Sequence, residues 1–280
     1  MDWRTVYEQR KMTAEEAVRK IKSGDRVVIG HAVSEPSYVV DAMVANADAY
    51  ENVEIVHMVA MGKCEYAKPE MASHFRHNAL FVGGGTRDAV ASGRGDYTPC
   101  FFYQVPSLFA EALPVDVALV TVTPPDENGM CSPGVAVDYT QAAVKQAKLV
   151  IAQVNDQMPY TGPYSLVSVE DIGCFVEHSA PIIELAPPHI GDVERAIGEH
   201  CASLIHDGDT LQLGIGAIPD AVGFALKGKH DLGIHTEQIG ASMARMIQQG
   251  VVTNRYKNLD KGWSVGAFII ADNFTYEYLN

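Results

Sequence analysis

The chain says one thing twice. Ile21-Lys22-Ser23-Gly24-Asp25 leads through Arg26-Val27-Val28-Ile29 to Gly30, then through a short loop to Pro36. Ile205-His206-Asp207-Gly208-Asp209 leads through Thr210-Leu211-Gln212-Leu213 to Gly214, and a loop one residue shorter reaches Pro219. After each proline the apolar positions match again, Val39, Ala42 and Met43 against Val222, Ala225 and Leu226. An internal repeat constrains the fold before any single motif does. This one is too long for a solenoid unit and suits a duplicated domain. The second copy reaches Asn280 far short of the first copy's length, so the expectation is one complete domain and the opening of its partner.

The stretches between the repeats indicate the fold class. Thr13-Ala14-Glu15-Glu16 is a capping box, read as the start of the first good helix. Arg26 to Ile29 is a short buried strand, and Pro36 suits the first turn of the helix that follows. Val53 to Val59 and Ala79 to Val82 read as strands. Asp116 to Val122 and Lys148 to Val154 are nearly continuous apolar runs, the pattern of strands covered on both faces. Asp138 is placed to cap a helix through Ala147. A helix near Val193–Ile205 restarts the pattern, and a strand follows from Thr210 to Leu213. Strands alternating with helices predict an α/β fold with mostly parallel sheets. Residues 1–187 are expected to form the first domain and residues 191–280 the beginning of a second, with a linker around Ala186-Pro187-Pro188-His189.

Composition narrows the function. A net charge of -14 argues against nucleic acid and anionic membrane surfaces. No apolar run approaches a membrane span, and Met1-Asp2-Trp3-Arg4 is not a secretory signal. Five widely spaced cysteines without Cys-x-x-Cys indicate neither a disulfide framework nor a zinc site, which fits a reducing cytoplasm. The histidines lack metal-ligand spacing, so no metal is assigned.

Two features carry chemistry. Gly214-Ile215-Gly216-Ala217-Ile218-Pro219 is a glycine loop between strand and helix, either a tight turn or a cradle for an oxyanion or phosphate. Downstream, Leu232-Gly233-Ile234-His235-Thr236-Glu237 places a carboxylate at a strand end where the first copy has Met58. Ligands of open α/β sheets sit at such ends, and a carboxylate there can act as nucleophile or general base. His235 is expected to point away from Glu237 and to serve packing. Gly83-Gly84-Gly85-Thr86 and Gly129 to Gly134 fail the phosphate-loop and nucleophile-elbow patterns and read as turns, with Arg87 and Arg94 near enough to the former to meet an anion.

At these residues the chain resembles the acetyl-CoA hydrolase/transferase family, the group containing butyryl-CoA:acetate and 4-hydroxybutyrate CoA-transferases. The resemblance runs over four stretches: Gly24-Asp25 through Pro36 to Met43; Asp96-Tyr97-Thr98-Pro99 with Phe101; Val115 through Pro124-Pro125-Asp126 and Gly129 to Thr140; and Gln212 to Ala221 with Gly233-Ile234-His235-Thr236-Glu237. It implies two tandem related CoA-transferase-type domains, the second truncated, that move CoA between a short-chain acyl-CoA and a carboxylate such as acetate. Coenzyme A is then a substrate, and no cofactor is required. Glu237 is the implied nucleophile, and Gly214, Gly216, Ala217 and Ile218 the implied oxyanion and CoA-binding loop. Gly30 to Pro36 becomes the facing loop of the first domain, with Gly30, Pro36 and Tyr97 lining the substrate pocket. Two departures stand beside this. Gln238-Ile239-Gly240-Ala241-Ser242 replaces the Met and the Ser-Asp-Gly-like turn usual after the glutamate, and the family's Gly-Gly-Gln-type motif lies beyond the length present. The resemblance therefore also implies a homo-oligomer or a partner supplying the missing part. The rival readings are an acyl-CoA hydrolase and a non-catalytic fragment or subunit.

Overall fold

The computed structural model describes residues 2–279. The chain divides into two compact units, Met1–Ile183 and Glu184–Asn280. The first runs α1 (Trp3–Arg10), α2 (Ala14–Val18), β1 (Arg26–Ile29), α3 (Ser37–Ala45), β2 (Val53–His57), β3 (Phe75–Ala79), α4 (Arg87–Ala91), β4 (Gly95–Tyr97), α5 (Val105–Ala110), β5 (Val117–Val122), β6 (Met130–Cys131), α6 (Thr140–Gln146), β7 (Leu149–Val154), β8 (Val167–Ser168) and β9 (Cys174–Glu177). Seven strands form a parallel sheet in the order β4-β3-β2-β1-β5-β7-β9. β6 and β8 pair antiparallel beside it.

Alternate residues of one strand enter opposite cores. Val28, Val56 and Val120 pack with Phe109, Tyr139 and Phe175 in one cluster, while Val27, Ile29, Ile55 and Leu119 pack with Val39 and Met43 in the other. Both faces are covered, which is why the strands read as continuous apolar runs. From β1 the chain winds outward to β2 on one side, and later to β5 on the other. The switch point, where crossovers leave in opposite directions and a crevice opens, therefore lies between β1 and β5.

The second unit contains α7 (Asp192–Ser203), β10 (Thr210–Leu211), α8 (Ala217–Ala225), β11 (Gly233–Ile239), α9 (Ala241–Gln248), β12 (Val265–Ile269) and α10 (Asn273–Leu279). Its strands form a parallel sheet in the order β10-β11-β12. α7 and α8 meet at Gly198, where a Cβ would lie 2.7 Å from the Ala221 backbone.

The repeat extends to individual hydrogen bonds. Gly24 and Gly208 both take the left-handed conformation, at φ +83° and +84°, where glycine is favoured. The Lys22 N–H donates to the Asp25 carboxylate at 2.8 Å, and the His206 N–H to that of Asp209 at 2.7 Å. The Asp25 carbonyl accepts from Glu54 N–H, and the Asp209 carbonyl from Gly233 N–H. Arg26 pairs with Glu54 and Thr210 with Gly233, so the two strand pairs share a register.

Several elements depart from the sequence expectation. A largely polar helix, α1, precedes the capping box of Thr13 and Glu16, which forms as expected. β3 ends at Ala79, where the expected strand began, because the polar Arg76, His77 and Asn78 belong to the ladder. Pro36 stands just before α3 as its N-cap, not within its first turn. Asp138 does not cap α6, whose N-cap is Tyr139; its carboxylate instead meets His31 Nδ1 at 2.7 Å. β10 stops at Leu211, and α7 ends at Ser203.

Candidate functional site

Glu237 lies fifth of seven residues in β11 and is exposed. The strand's burial alternates there: Thr236 and Gln238 are buried, whereas His235 and Glu237 are exposed. His235 therefore shares the face of Glu237, contrary to the sequence reading, because residues two apart on a strand point the same way.

The buried neighbours fix the strand. Thr236 Oγ1 accepts from the Leu213 N–H at 3.3 Å and lies 3.1 Å from the Leu213 carbonyl. The Gln238 amide donates to the Ile270 carbonyl at 2.9 Å, beyond β12. Leu213 immediately precedes Gly214, so the Thr236 clasp holds the root of the glycine loop against the residue before Glu237. Within the second unit the structure thus ties together the residues that precede each feature, Thr236 and Leu213. Gly216 is the N-cap of α8, at φ +125°, a conformation open to glycine and strained for other residues. The first-turn N–H groups of Ala217 and Ile218 have no intrahelical acceptor at such an end, and the helix dipole adds partial positive charge there.

In the first unit Gly30 and Pro36 bracket a wholly buried loop after β1. Gly30 donates its N–H to the Leu119 carbonyl at 2.8 Å, and its carbonyl accepts from His57 Nε2 at 3.0 Å. Tyr97 is exposed at the end of the edge strand β4. Three strand spacings, about 14 Å, separate β4 from β1, so Tyr97 is not brought to the Gly30 loop.

Sequence reasoning missed a polar network beneath this loop. Glu35 is buried and accepts from the Gly62 N–H at 2.9 Å. A Cβ at Gly62 would lie 2.2 Å from Glu35 Oε1, so a larger residue there would displace the carboxyl. Burial pushes the Glu35 carboxyl from 4.5 up to about 7, against the opposing pull of the Gly62 N–H. His57 Nε2 lies 4.0 Å from that carboxylate but gives its proton to Gly30, while Nδ1 faces the Tyr66 hydroxyl at 2.9 Å. Burial also holds His57 well below the ordinary imidazole value, so the contact is not an ion pair. The Glu-Pro step at a strand-to-helix loop was the only sequence signal for this carboxyl. Arg94, a candidate for anion binding, is engaged by Asp88 and the Ala67 carbonyl. Among the described residues no group of three or more His, Cys, Asp or Glu is placed to hold a metal, and no helix is long and apolar enough to cross a membrane.

The model of the acetyl-CoA hydrolase/transferase N-terminal domain matches residues 1–183, the extent of the first unit. The 4-hydroxybutyrate coenzyme A transferase of Clostridium kluyveri is 57% identical over 281 residues, covering 100% of this chain and 66% of that protein. The butyryl-CoA:acetate CoA-transferase of Anaerostipes caccae is 32% identical over 288 residues, covering 100% of this chain and 65% of its own length. The crystal structure of 4-hydroxybutyrate CoA-transferase from Porphyromonas gingivalis superposes with a TM-score of 0.89 at 40% identity, over 100% of this chain and 67% of that one. The chain spans about two thirds of the length of these proteins. With family model, sequence and fold in agreement, the chain belongs to the acetyl-CoA hydrolase/transferase family.

Proposed function

We propose that this chain acts in the transfer of CoA from a short-chain acyl-CoA, of the butyryl or 4-hydroxybutyryl type, to acetate, with Glu237 as the covalent nucleophile. The observation that carries the reading is an exposed carboxylate on β11, clasped through Thr236 to a glycine loop that ends in a helix N-terminus. Names of the relatives at 57% and 32% identity support the substrate class.

The reaction is a sequence of acyl exchanges. The Glu237 carboxylate attacks the thioester carbonyl, forming an acyl-glutamyl anhydride and expelling CoA thiolate. The thiolate attacks the glutamyl carbonyl, releases the first carboxylate and leaves a glutamyl-CoA thioester. Acetate attacks that thioester, giving an acetyl-glutamyl anhydride and thiolate, and the thiolate takes the acetyl group and frees Glu237. The overall exchange of one thioester for another is near thermoneutral, and the anhydrides are its high-energy intermediates, so positioning and oxyanion stabilisation supply the rate. The N–H groups of Gly216, Ala217 and Ile218 are the proposed donors to the oxyanion.

The test mixes the chain with butyryl-CoA and searches the Glu237 peptide by mass spectrometry for a CoA adduct. An adduct that is absent from Glu237→Gln and discharged by acetate fits the transferase. Discharge by water at the same rate without acetate points to the hydrolase. A folded chain that forms no adduct removes autonomous activity.

A further inference from the structure

We propose that a crevice in the first unit, at the carboxyl ends of β5 and β7, binds a short-chain carboxylate whose oxygens are held by Thr121 and Gln153. Thr121 belongs to β5, whose six residues are all buried, and is itself only 3% exposed. Its hydroxyl has no hydrogen-bond partner among the described residues, yet Thr121 lines the crevice. A hydroxyl buried without a partner is unfavourable, and valine would fill the same place in this strand without that cost. The group is explained if the crevice supplies an acceptor.

Gln153, on β7, lines the same crevice and is also buried. Its Oε1 accepts from the Tyr38 N–H at 3.1 Å. That bond fixes the amide's orientation and leaves its NH2 as a donor. Ser37 and Tyr38, at the start of the nine-residue α3, line the crevice as well. Their N–H groups already donate to the Glu35 carbonyl and to Gln153 Oε1, so the helix start contributes through its dipole. The Glu35 carboxyl is turned to the Gly62 N–H, and the Asn155 amide is tied to the Ala180 backbone. Two neutral donors and a helix end thus face the space.

The remaining wall suits an aliphatic chain. Val33, Met158 and Ile182 supply apolar surface, and Tyr38 and His178 stack at 4.0 Å and 8°. A cavity of about 70 Å³ holds a few water molecules. An acid of about two to four carbons fits, and a CoA thioester does not. The location, outside the carboxyl ends of parallel strands next to the β1/β5 switch point, is where such sheets accept ligands. The site is independent of the role assigned to Glu237.

The test titrates butyrate into the whole chain and follows the Met158 methyl resonance by NMR, assigned through Met158→Leu. Saturable shifts are expected. Thr121→Val, which keeps the volume and removes the hydroxyl, and Gln153→Glu, which keeps an acceptor for Tyr38 and loses the donor, should each raise Kd at least tenfold. Thr121→Ser retains the hydroxyl and should bind within about threefold of the parent, which keeps the test decisive if the valine variant folds poorly. Glu237→Gln should leave the titration unchanged while abolishing any CoA adduct, so the two sites fail separately. No saturable shift at Met158, or an unchanged Kd in Thr121→Val, overturns the proposal.

Discussion

Replacing Glu35 by glutamine should stabilise the protein, and by an amount that depends on pH. Burial raises the carboxyl from 4.5 to about 7. At about 1.4 kcal/mol per pH unit, the ionised group costs the folded state about 3 kcal/mol. The neighbouring imidazole of His57 is itself kept neutral by burial and does not offset that cost. The sign follows from proton linkage. Below pH 4.5 the carboxyl is neutral in both folded and unfolded chains and contributes no pH-dependent term. As pH rises toward 7, the unfolded chain releases a proton that the folded chain retains, and stability falls. Above pH 7 the loss is complete. Glutamine keeps the oxygen that accepts from the Gly62 N–H at 2.9 Å but cannot ionise. Urea unfolding of the parent and Glu35→Gln, followed through the first unit's transition at pH 5, 6, 7 and 8, measures the difference. The variant's relative stability should grow by about 2–3 kcal/mol from pH 5 to pH 8. A difference that stays constant across that range refutes the buried, proton-retaining carboxyl.

Gly216→Ala puts a side chain into open space, since nothing lies within 4 Å of the added Cβ. Its cost, about 1–3 kcal/mol, is therefore purely conformational, and adduct formation at Glu237 should slow at least tenfold in a chain whose circular dichroism is unchanged. Gly198→Ala drives a Cβ to 2.7 Å from the Ala221 backbone and should lower the second unit's unfolding free energy by about 1–3 kcal/mol. The first unit's transition should not move. His235→Ala removes an exposed side chain and should change the second unit's stability by less than about 0.5 kcal/mol; a loss of 2 kcal/mol on that transition would restore the packing role.

What was legible in the sequence follows from what surrounds each segment. β1, β5 and β7 are apolar on both faces because both faces are covered, and their runs could be read directly. β3 is largely buried too, but its polar residues bond to partners remote in sequence, His77 Nε2 alone of these buried atoms having none among the described residues. His77 Nδ1 meets the Ile55 carbonyl at 3.2 Å, and the Asn78 amide donates to the Glu54 carboxylate at 2.7 Å. No periodicity reveals such pairings, and the apolar pattern marks only the segment from Ala79 onward. α1 buries only Val6 among its described residues and offered too weak an apolar stripe to read. Glu35 takes its raised carboxyl from burial and is anchored by Gly62, 27 residues away, and local reading of Glu35-Pro36 carries no trace of either.

The repeat also explains why the two units differ at one position. With Arg26 opposite Glu54 and Thr210 opposite Gly233, Met58, one residue past β2, and Glu237, within β11, fall at equivalent steps. The residue before each is buried and ties the strand to its loop: His57 reaches the Gly30 carbonyl, and Thr236 grips Leu213. The scaffolding is therefore common to both, and the difference is in what covers the next side chain. Met58 is buried in a core cluster that includes Leu80 and Phe109, whereas Glu237 is exposed. A carboxylate at position 58 would be buried among apolar groups without a partner, an arrangement that neutralises it rather than leaving it nucleophilic. At position 237 the same strand step leaves a carboxylate exposed to solvent. The two copies share the geometry and differ in whether the side chain at this step is packed in a core or exposed.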